Sequence, residues 1–316
     1  MQKDKLIVVG SFVVDLATKT PKLPRRGETI FGGPFTMGPG GKGSNQCIAA
    51  KRAGADVVFL TKLGRDLFAD VALEAYRAEG IDASYVFRDE ILETGSALIM
   101  VENQTGENAI VVSSGACKAI QQAELDQIQP AMEHAKVLLT QFEINMDAVW
   151  HTLKMARAHN LITIVNPAPV QAVNDAIFEY IDIITPNETE AEALTGIPIT
   201  DDESAGEAAG RLLEKGVKHV LITLGEKGVY YQDAQHHQMI NGYTVPQVID
   251  TTGAGDAFNG GFATAITEGM EMENAIIFGN AVGALSVTKN GTAPSMPYRI
   301  EIEAFMNKHI KKAVPE

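Results

Sequence analysis

Cysteine is scarce in this chain of 316 residues, with only Cys47 and Cys117 present. No metal-ligand spacing separates them, so neither a disulfide scaffold nor structural zinc is expected, and both thiols read as free core residues of a reducing compartment. Basic residues are also short: 26 Lys and Arg face 40 Asp and Glu, for a net charge of −14. That balance cannot build a broad phosphate-neutralising face, which argues against nucleic acid as a partner. Any anionic ligand must be gripped locally, by loop amides and a few cations. Long apolar runs are lacking too. None approaches the roughly 20 residues needed to cross a bilayer, so the cytoplasm is the expected location and no membrane partner is expected. The run Leu6–Val14 follows Lys3 and Lys5 like the opening of a secretory signal. Asp15 interrupts it and no small-residue cleavage pattern follows, so it reads as a buried first strand.

What is present is an alternation of short β-branched runs with longer segments of helical period. Parallel strands are expected at Leu6–Gly10, Val57–Leu63, Val137–Phe142, Ile162–Asn166, Ile181–Thr185 and Val220–Leu224. Helices are expected at Ser44–Ala53, Phe68–Glu79, Ala123–His134, Asp147–His159, Glu188–Thr195, Ala205–Lys215, Gly255–Glu268 and Asn274–Val287. Several end at a glycine suited to a C-cap, among them Gly54, Gly80 and Gly196. The pattern predicts an α/β three-layer sandwich, with a mostly parallel central sheet and helices on both faces. Residues 12–37 and 96–114 break the alternation with extended, turn-rich chain, which predicts a small β-sheet lid inserted in the core. No repeat, low-complexity tract or Pro/Ser linker appears, so residues 1–316 read as one domain.

Two glycine-dense turns carry the chemical signal. Asp250-Thr251-Thr252-Gly253-Ala254-Gly255-Asp256 follows the strand-like Tyr243–Ile249 and opens a helix. Small residues at 253–255 let backbone amides converge at a helix N-terminus, where unpaired N–H groups and the positive dipole end favour a phosphate oxygen. Asp256 in the first turn would sit beside that anion hole; the simpler alternative is that it only complements its own helix. The second turn is Gly38-Pro39-Gly40-Gly41-Lys42-Gly43-Ser44-Asn45-Gln46. Lys42 is followed by Gly43 rather than Ser or Thr, so this is no Walker loop, and the dinucleotide fingerprint fails as well. Its amides, with Lys42 and Asn45 as side-chain donors, suit a polyhydroxylated ligand.

Paired, the two turns resemble the signatures of the ribokinase-type carbohydrate kinases. Further matches fall in order between and after them: Asn166-Pro167-Ala168-Pro169, Thr185-Pro186-Asn187-Glu188-Thr189-Glu190, Ile222-Thr223-Leu224-Gly225-Glu226-Lys227-Gly228 and Gly291-Thr292-Ala293-Pro294-Ser295. The resemblance spans Leu6 to Phe305. It implies transfer of the ATP γ-phosphoryl group to a pentose, with Asp256 as catalytic base and the amides of Gly253, Ala254 and Gly255 as anion hole. Asp15, Gly41, Lys42, Asn45 and Glu143 match sugar-binding positions. Asn187 and Glu190 match a motif associated with Mg²⁺ and phosphate. Thr223, Gly225 and Gly228 match the nucleotide loop and Asn280 a residue beside adenine, with Asn187 and Gly255 also on the nucleotide side. Asp250, Thr252, Ser286, Lys289, Gly291 and Ser295 match positions that wrap an activating K⁺. The helix-free stretches match the family's lid, which implies a homodimer formed through it.

One departure bears on the substrate. Where the family reads Gly-Ser-x-Asn-x-Asp, this chain reads Gly10-Ser11-Phe12-Val13-Val14-Asp15, so an amide of the sugar pocket has become Val13. An unpaired ribose hydroxyl there would cost on the order of 1–3 kcal/mol, which keeps 2-deoxyribose beside ribose as an expected substrate. Another sugar kinase of the family, or a non-catalytic sugar-binding regulator on the same scaffold, are the competing readings.

Overall fold

The computed structural model describes residues 4–103, 105 and 107–313. Thirteen strands form among them: β1 (Lys5–Val9), β2 (Val13–Thr20), β3 (Phe35–Gly40), β4 (Asp56–Leu63), β5 (Val86–Arg88), β6 (Thr94–Glu102), β7 (Asn108–Gly115), β8 (Ala135–Gln141), β9 (Ile162–Asn166), β10 (Ile183–Ile184), β11 (His219–Thr223), β12 (Gly228–Gln232) and β13 (His237–Asn241). In β1, Leu6 and Val8 pack into one core while Ile7 and Val9 pack into another. Strand side chains alternate between faces, so this split means that β1 is covered on both sides, as a parallel strand requires. The helices Lys42–Ala53, Ala254–Thr267 and Met272–Ser286 supply the first core through Ala49, Phe262 and Ile276. The helices Met146–Ala158 and Asp202–Glu214 supply the second through Val149, Leu153, Ala208 and Leu212.

The central sheet runs β13-β12-β11-β10-β9-β8-β1-β4-β5. Pairings from β5 to β11 are parallel, and only the β11-β12 and β12-β13 pairings are antiparallel. From β1 the chain first adds β4 and β5 on one side, then returns to place β8 on the other. That reversal opens a crevice beyond the carboxyl ends of β1 and β8, where open α/β sheets bind ligands. The two helix-free stretches furnish a second sheet, β3-β2-β6-β7. Gly38, Pro39 and Gly40 belong to its β3 rather than to a loose turn.

Three expectations change. Ala123–His134 is not one helix: one α-turn at Gln122–Leu125, a 3₁₀ turn at Asp126–Ile128 and another α-turn at Gln129–Met132 replace it, with Pro130 starting the last. Tyr243–Ile249 joins no sheet, since Pro246 cannot donate to a ladder. The β12-β13 hairpin and the helix Arg299–Ala313 are additional. Both cysteines are free and buried, and burial pushes the Cys117 thiol up to about 11.

Candidate active site

The first turn of the Lys42–Ala53 helix is wedged against the end of β1 by missing side chains. A β-carbon on Gly43 would lie 2.5 Å from the Ser11 amide nitrogen and 2.6 Å from Gly10. The same economy joins this helix to the one bearing Asp256, because a β-carbon on Gly260 would lie 2.6 Å from both the Ala49 β-carbon and the Gln46 carbonyl. The close crossing brings the two glycine turns together. Asn45 Nδ2 donates to Asp256 Oδ2 and Gln46 Nε2 to Asp256 Oδ1, each over 2.9 Å.

Asp256 is 6% exposed, in the first turn of a helix whose N-cap is Gly253 at φ 79°. Burial raises its carboxyl above the usual carboxylate range, against Lys42 and the amides of Asn45 and Gln46, with Glu143 adding to the rise. A β-carbon on Gly255 would meet no described atom within 4 Å, so its smallness serves no internal packing. The Ala254 amide donates to the Thr251 carbonyl at 3.2 Å, which leaves the Gly255 and Asp256 amides of the first turn as the ones that can face an anion.

Around Asp256 stand three more carboxylates and one cation. Glu143 accepts hydrogen bonds from the Lys42 backbone amide at 2.8 Å and from the Ser11 hydroxyl. Asp15, on β2, accepts from the Thr292 hydroxyl at 2.9 Å. Burial lifts its carboxyl to about 6, with Thr292 opposing and the charges of Glu143 and Asp256 contributing. Burial alone would lower the Lys42 ammonium, but Asp256, Glu143 and Glu190 outweigh it and hold it above its ordinary value. Glu190 and Asn187 form a reciprocal capping box at 2.8 and 3.0 Å. Burial raises the Glu190 carboxyl, against the Asn187 amide and Lys42. Val13 is 3% exposed and pairs with Gly40 and Gly95. Asn45 Oδ1 is buried with no hydrogen-bond partner among the described residues, an acceptor left over for a ligand hydroxyl.

The remaining candidate residues form two further groups. Thr223 ends β11 and is bridged to Asn187. Gly228 packs its backbone against Ile240, while Asn280 Nδ2 donates to the Asn241 carbonyl at 3.2 Å, so these residues converge at β13. Gly225, at φ 57°, has no described atom within 4 Å of a β-carbon position. In the second group, Asp250 accepts from the amides of Thr252 and Gly291, each at 2.9 Å, clasping two loops together. Those hydrogen bonds outweigh burial and hold its carboxyl below the usual range. Ser286 and Ser295 donate their hydroxyls to the Gly283 and Thr292 carbonyls, and Lys289 pairs with Glu301 at 2.8 Å. Among the described residues no cluster of three His, Cys, Asp or Glu could hold a metal.

Sequence reading assigned no role to Ser11, Gln46, Gln141, Asn166 or Thr292. Gln141 and Asn166 carried a usable signal, a polar residue closing a buried apolar strand. A cavity of about 420 Å³ lies at the opposite end of β9–β11. Its cations are committed, Lys218 to Asp182 at 2.6 Å and Arg157 to the Tyr180 ring, so it makes a poor anion site.

Known proteins resemble this chain over nearly its whole length. Residues 3–299 match the model of the pfkB family carbohydrate kinases. The chain is 40% identical over 301 residues to a ribokinase of Haemophilus influenzae, covering 95% of this chain and 98% of that protein. It is 34% identical over 303 residues to a deoxyribokinase of Salmonella typhi, covering 95% and 97%. The structure of Arabidopsis thaliana ribokinase complexed with ribose and ATP superposes with a TM-score of 0.91 at 31% identity, covering 96% of this chain and 99% of that one. With that match running through both glycine turns, the chain belongs to the pfkB family of carbohydrate kinases.

Proposed function

We propose that this protein transfers the γ-phosphoryl group of ATP to the 5-hydroxyl of D-ribose, with Asp256 as the base. The observation that carries the reading is the buried Asp256 carboxylate at a glycine-capped helix N-terminus, held by Asn45 and Gln46 of the other glycine turn. The sugar oxygen attacks phosphorus as the bond to the β-phosphate oxygen breaks, and the hydroxyl proton passes to Asp256. Amides of Gly253 and Gly255 and the Lys42 ammonium stabilise charge on the phosphoryl oxygens, with the Ala254 amide, which donates to the Thr251 carbonyl, joining them only as a shared donor. Magnesium, when bound with the nucleotide, supplies further positive charge there. Glu190 and Asn187 are the residues that would hold it, a single carboxylate beside substrate phosphates being a usual Mg²⁺ environment. The clasp of Asp250 on Thr252 and Gly291 supports an all-oxygen site for K⁺, completed by Ser286, Lys289 and Ser295. Thr223, Gly225, Gly228 and Asn280 are the proposed nucleotide contacts.

Asp15, Gly41, Lys42, Asn45 and Glu143 are the proposed sugar contacts, and β2 makes the second sheet the lid over them. Asp15 accepts a sugar hydroxyl far more strongly when ionised, since protonation turns one of its two oxygens into a donor while Thr292 occupies an oxygen as well. In the free enzyme kcat/KM for the sugar should therefore fall below pH about 6, approaching about tenfold per pH unit on the acid side. A profile flat from pH 7 to pH 5 would remove Asp15 as an anionic contact. Phe35, Met37, Leu98 and Val111 share the sheet face opposite Asp15 by their register, and each is more than half exposed. A second copy of the chain is the proposed cover of that face, a proposal that a one-chain mass in sedimentation would end.

A second reading, 2-deoxyribose as the preferred sugar, rests on Val13, which offers no hydrogen bond at a buried sugar-side position. The likeness to a deoxyribokinase supports keeping it. The test is kcat/KM for both sugars with MgATP and K⁺. Val13→Asn should raise the ribose to 2-deoxyribose ratio about tenfold or more by restoring one hydrogen bond. An unchanged ratio would clear Val13 of any part in selectivity, and ADP release with neither sugar would refute the pentose assignment.

A further inference from the structure

Three side-chain amides link the ends of two strands to Asp256. Gln141 closes β8, and its Nε2 donates to Gln46 Oε1 over 2.7 Å. Gln46 Nε2 donates to Asp256 Oδ1 at 2.9 Å and to Asn166 Oδ1, at the end of β9, at 3.1 Å. Asn166 Nδ2 is committed in turn to the Thr185 carbonyl at 3.1 Å. Every hydrogen of the Gln46 amide is thus assigned and its oxygen is occupied, so only one orientation satisfies the group. Gln46, Gln141 and Asn166 are all buried, at 0%, 1% and 6% exposure. At such depth a reversed amide would set oxygen against carboxylate and against Asn166 Oδ1, with no water to relieve either contact.

We propose that Gln46 is the positioning residue for Asp256, fixing its carboxylate in one orientation and favouring its ionised form, and that Gln141 and Asn166 act through Gln46 by setting which end of its amide faces the acid. The proposal rests on the reading of Asp256 as the base. Asn45 makes the other hydrogen bond to Asp256, but its Oδ1 has no described partner and no neighbour locks its orientation; Gln141 Oε1 is likewise without a described partner, so the anchor of the relay is Asn166, tied to the Thr185 carbonyl. The charged groups facing Asp256 are Lys42 from the same helix as Gln46, Glu143 beyond β8, Asp15 on β2 and Glu190 from the Glu188–Thr195 helix. Substitution within the amide relay changes none of them.

The test is the pH profile of turnover at saturating sugar and MgATP for the full chain and for Q46M, Q141M and Q46M/Q141M, with D256N as the control. Loss of one hydrogen bond to a buried carboxylate should move the acid limb of Q46M upward by about one pH unit. Q141M should move it less, in the same direction. The double variant should match Q46M, because Gln141 has no other route to Asp256. A purely structural role would lower melting temperature or amplitude and leave the limb in place. An unmoved limb in Q46M, or a Q141M shift that adds to that of Q46M, would overturn the relay. Should Q46M not fold, Q141M keeps Gln46 in place, and an unmoved limb in folded Q141M would overturn it alone. Undiminished turnover in D256N would instead overturn the base assignment, and the relay with it.

Discussion

Asp256→Asn should lower turnover by roughly 10²–10⁴ while sugar KM stays within a few fold, because the change removes the proposed proton acceptor and leaves the proposed sugar contacts Asp15, Lys42 and Glu143 in place. The site can absorb the new amide. Gln46 is locked with its nitrogen toward residue 256, so the asparagine oxygen turns to Gln46 and its nitrogen to Asn45. Asn45 can answer by rotating, since its Oδ1 has no described partner to lose. Stability should not suffer. The Asp256 carboxyl lies above its ordinary value through burial, so folding takes up a proton, and ionisation costs stability as pH rises from the carboxylate range through the folded value. At pH 7 a neutral asparagine avoids that cost, and the melting temperature should be unchanged or higher. A coupled ADP-release assay with a thermal melt checks both. Turnover within tenfold of the parent would take the base role away from Asp256.

The elements that sequence pattern located well are those with one dominant physical cause. β1, β8 and β9 are apolar runs buried on both faces, and the Lys42–Ala53 and Ala254–Thr267 helices begin at glycine turns that no other structure tolerates as readily. Segments with competing causes were misread. Residues 122–132 have helical period, yet Pro130 removes an amide and the run breaks into single turns. Tyr243–Ile249 has strand-like composition, but Pro246 cannot donate to a ladder and the Ile249 amide turns to the Val287 carbonyl of a helix end instead. At the site, the meeting of Asp256 with Asn45 was implied by two motifs whose shared role needs them adjacent. The parts that were not legible depend on contacts distant in sequence. Thr292 reaches Asp15 across 277 positions, and Gln141 reaches Gln46 across 95. A hydroxyl or amide carries no periodic signature, so only the folded chain reveals which carboxylate it serves.

Lys42→Met should be about as damaging as loss of the base, through a different route. The ammonium is the cation that Asp256, Glu143 and Glu190 share, and it stays charged despite burial because of them. Its removal leaves three carboxylates facing one another in a poorly solvated crevice, where like charges raise each other's proton affinity. Turnover should fall about 10²–10³-fold through loss of a preorganised charge at the phosphoryl oxygens. The acid limb of what activity remains should move upward, and the variant should melt lower as pH rises toward neutrality, where all three groups must ionise. The variant should still fold, because the Glu143 carboxylate is held by the residue 42 amide rather than by the lysine head group. Lys42→Arg should restore the melting behaviour better than the turnover, since a planar guanidinium supplies charge but not a compact ammonium at the same point. Full turnover in either variant would place the stabilising charge elsewhere and leave Lys42 as a counter-ion for the fold alone.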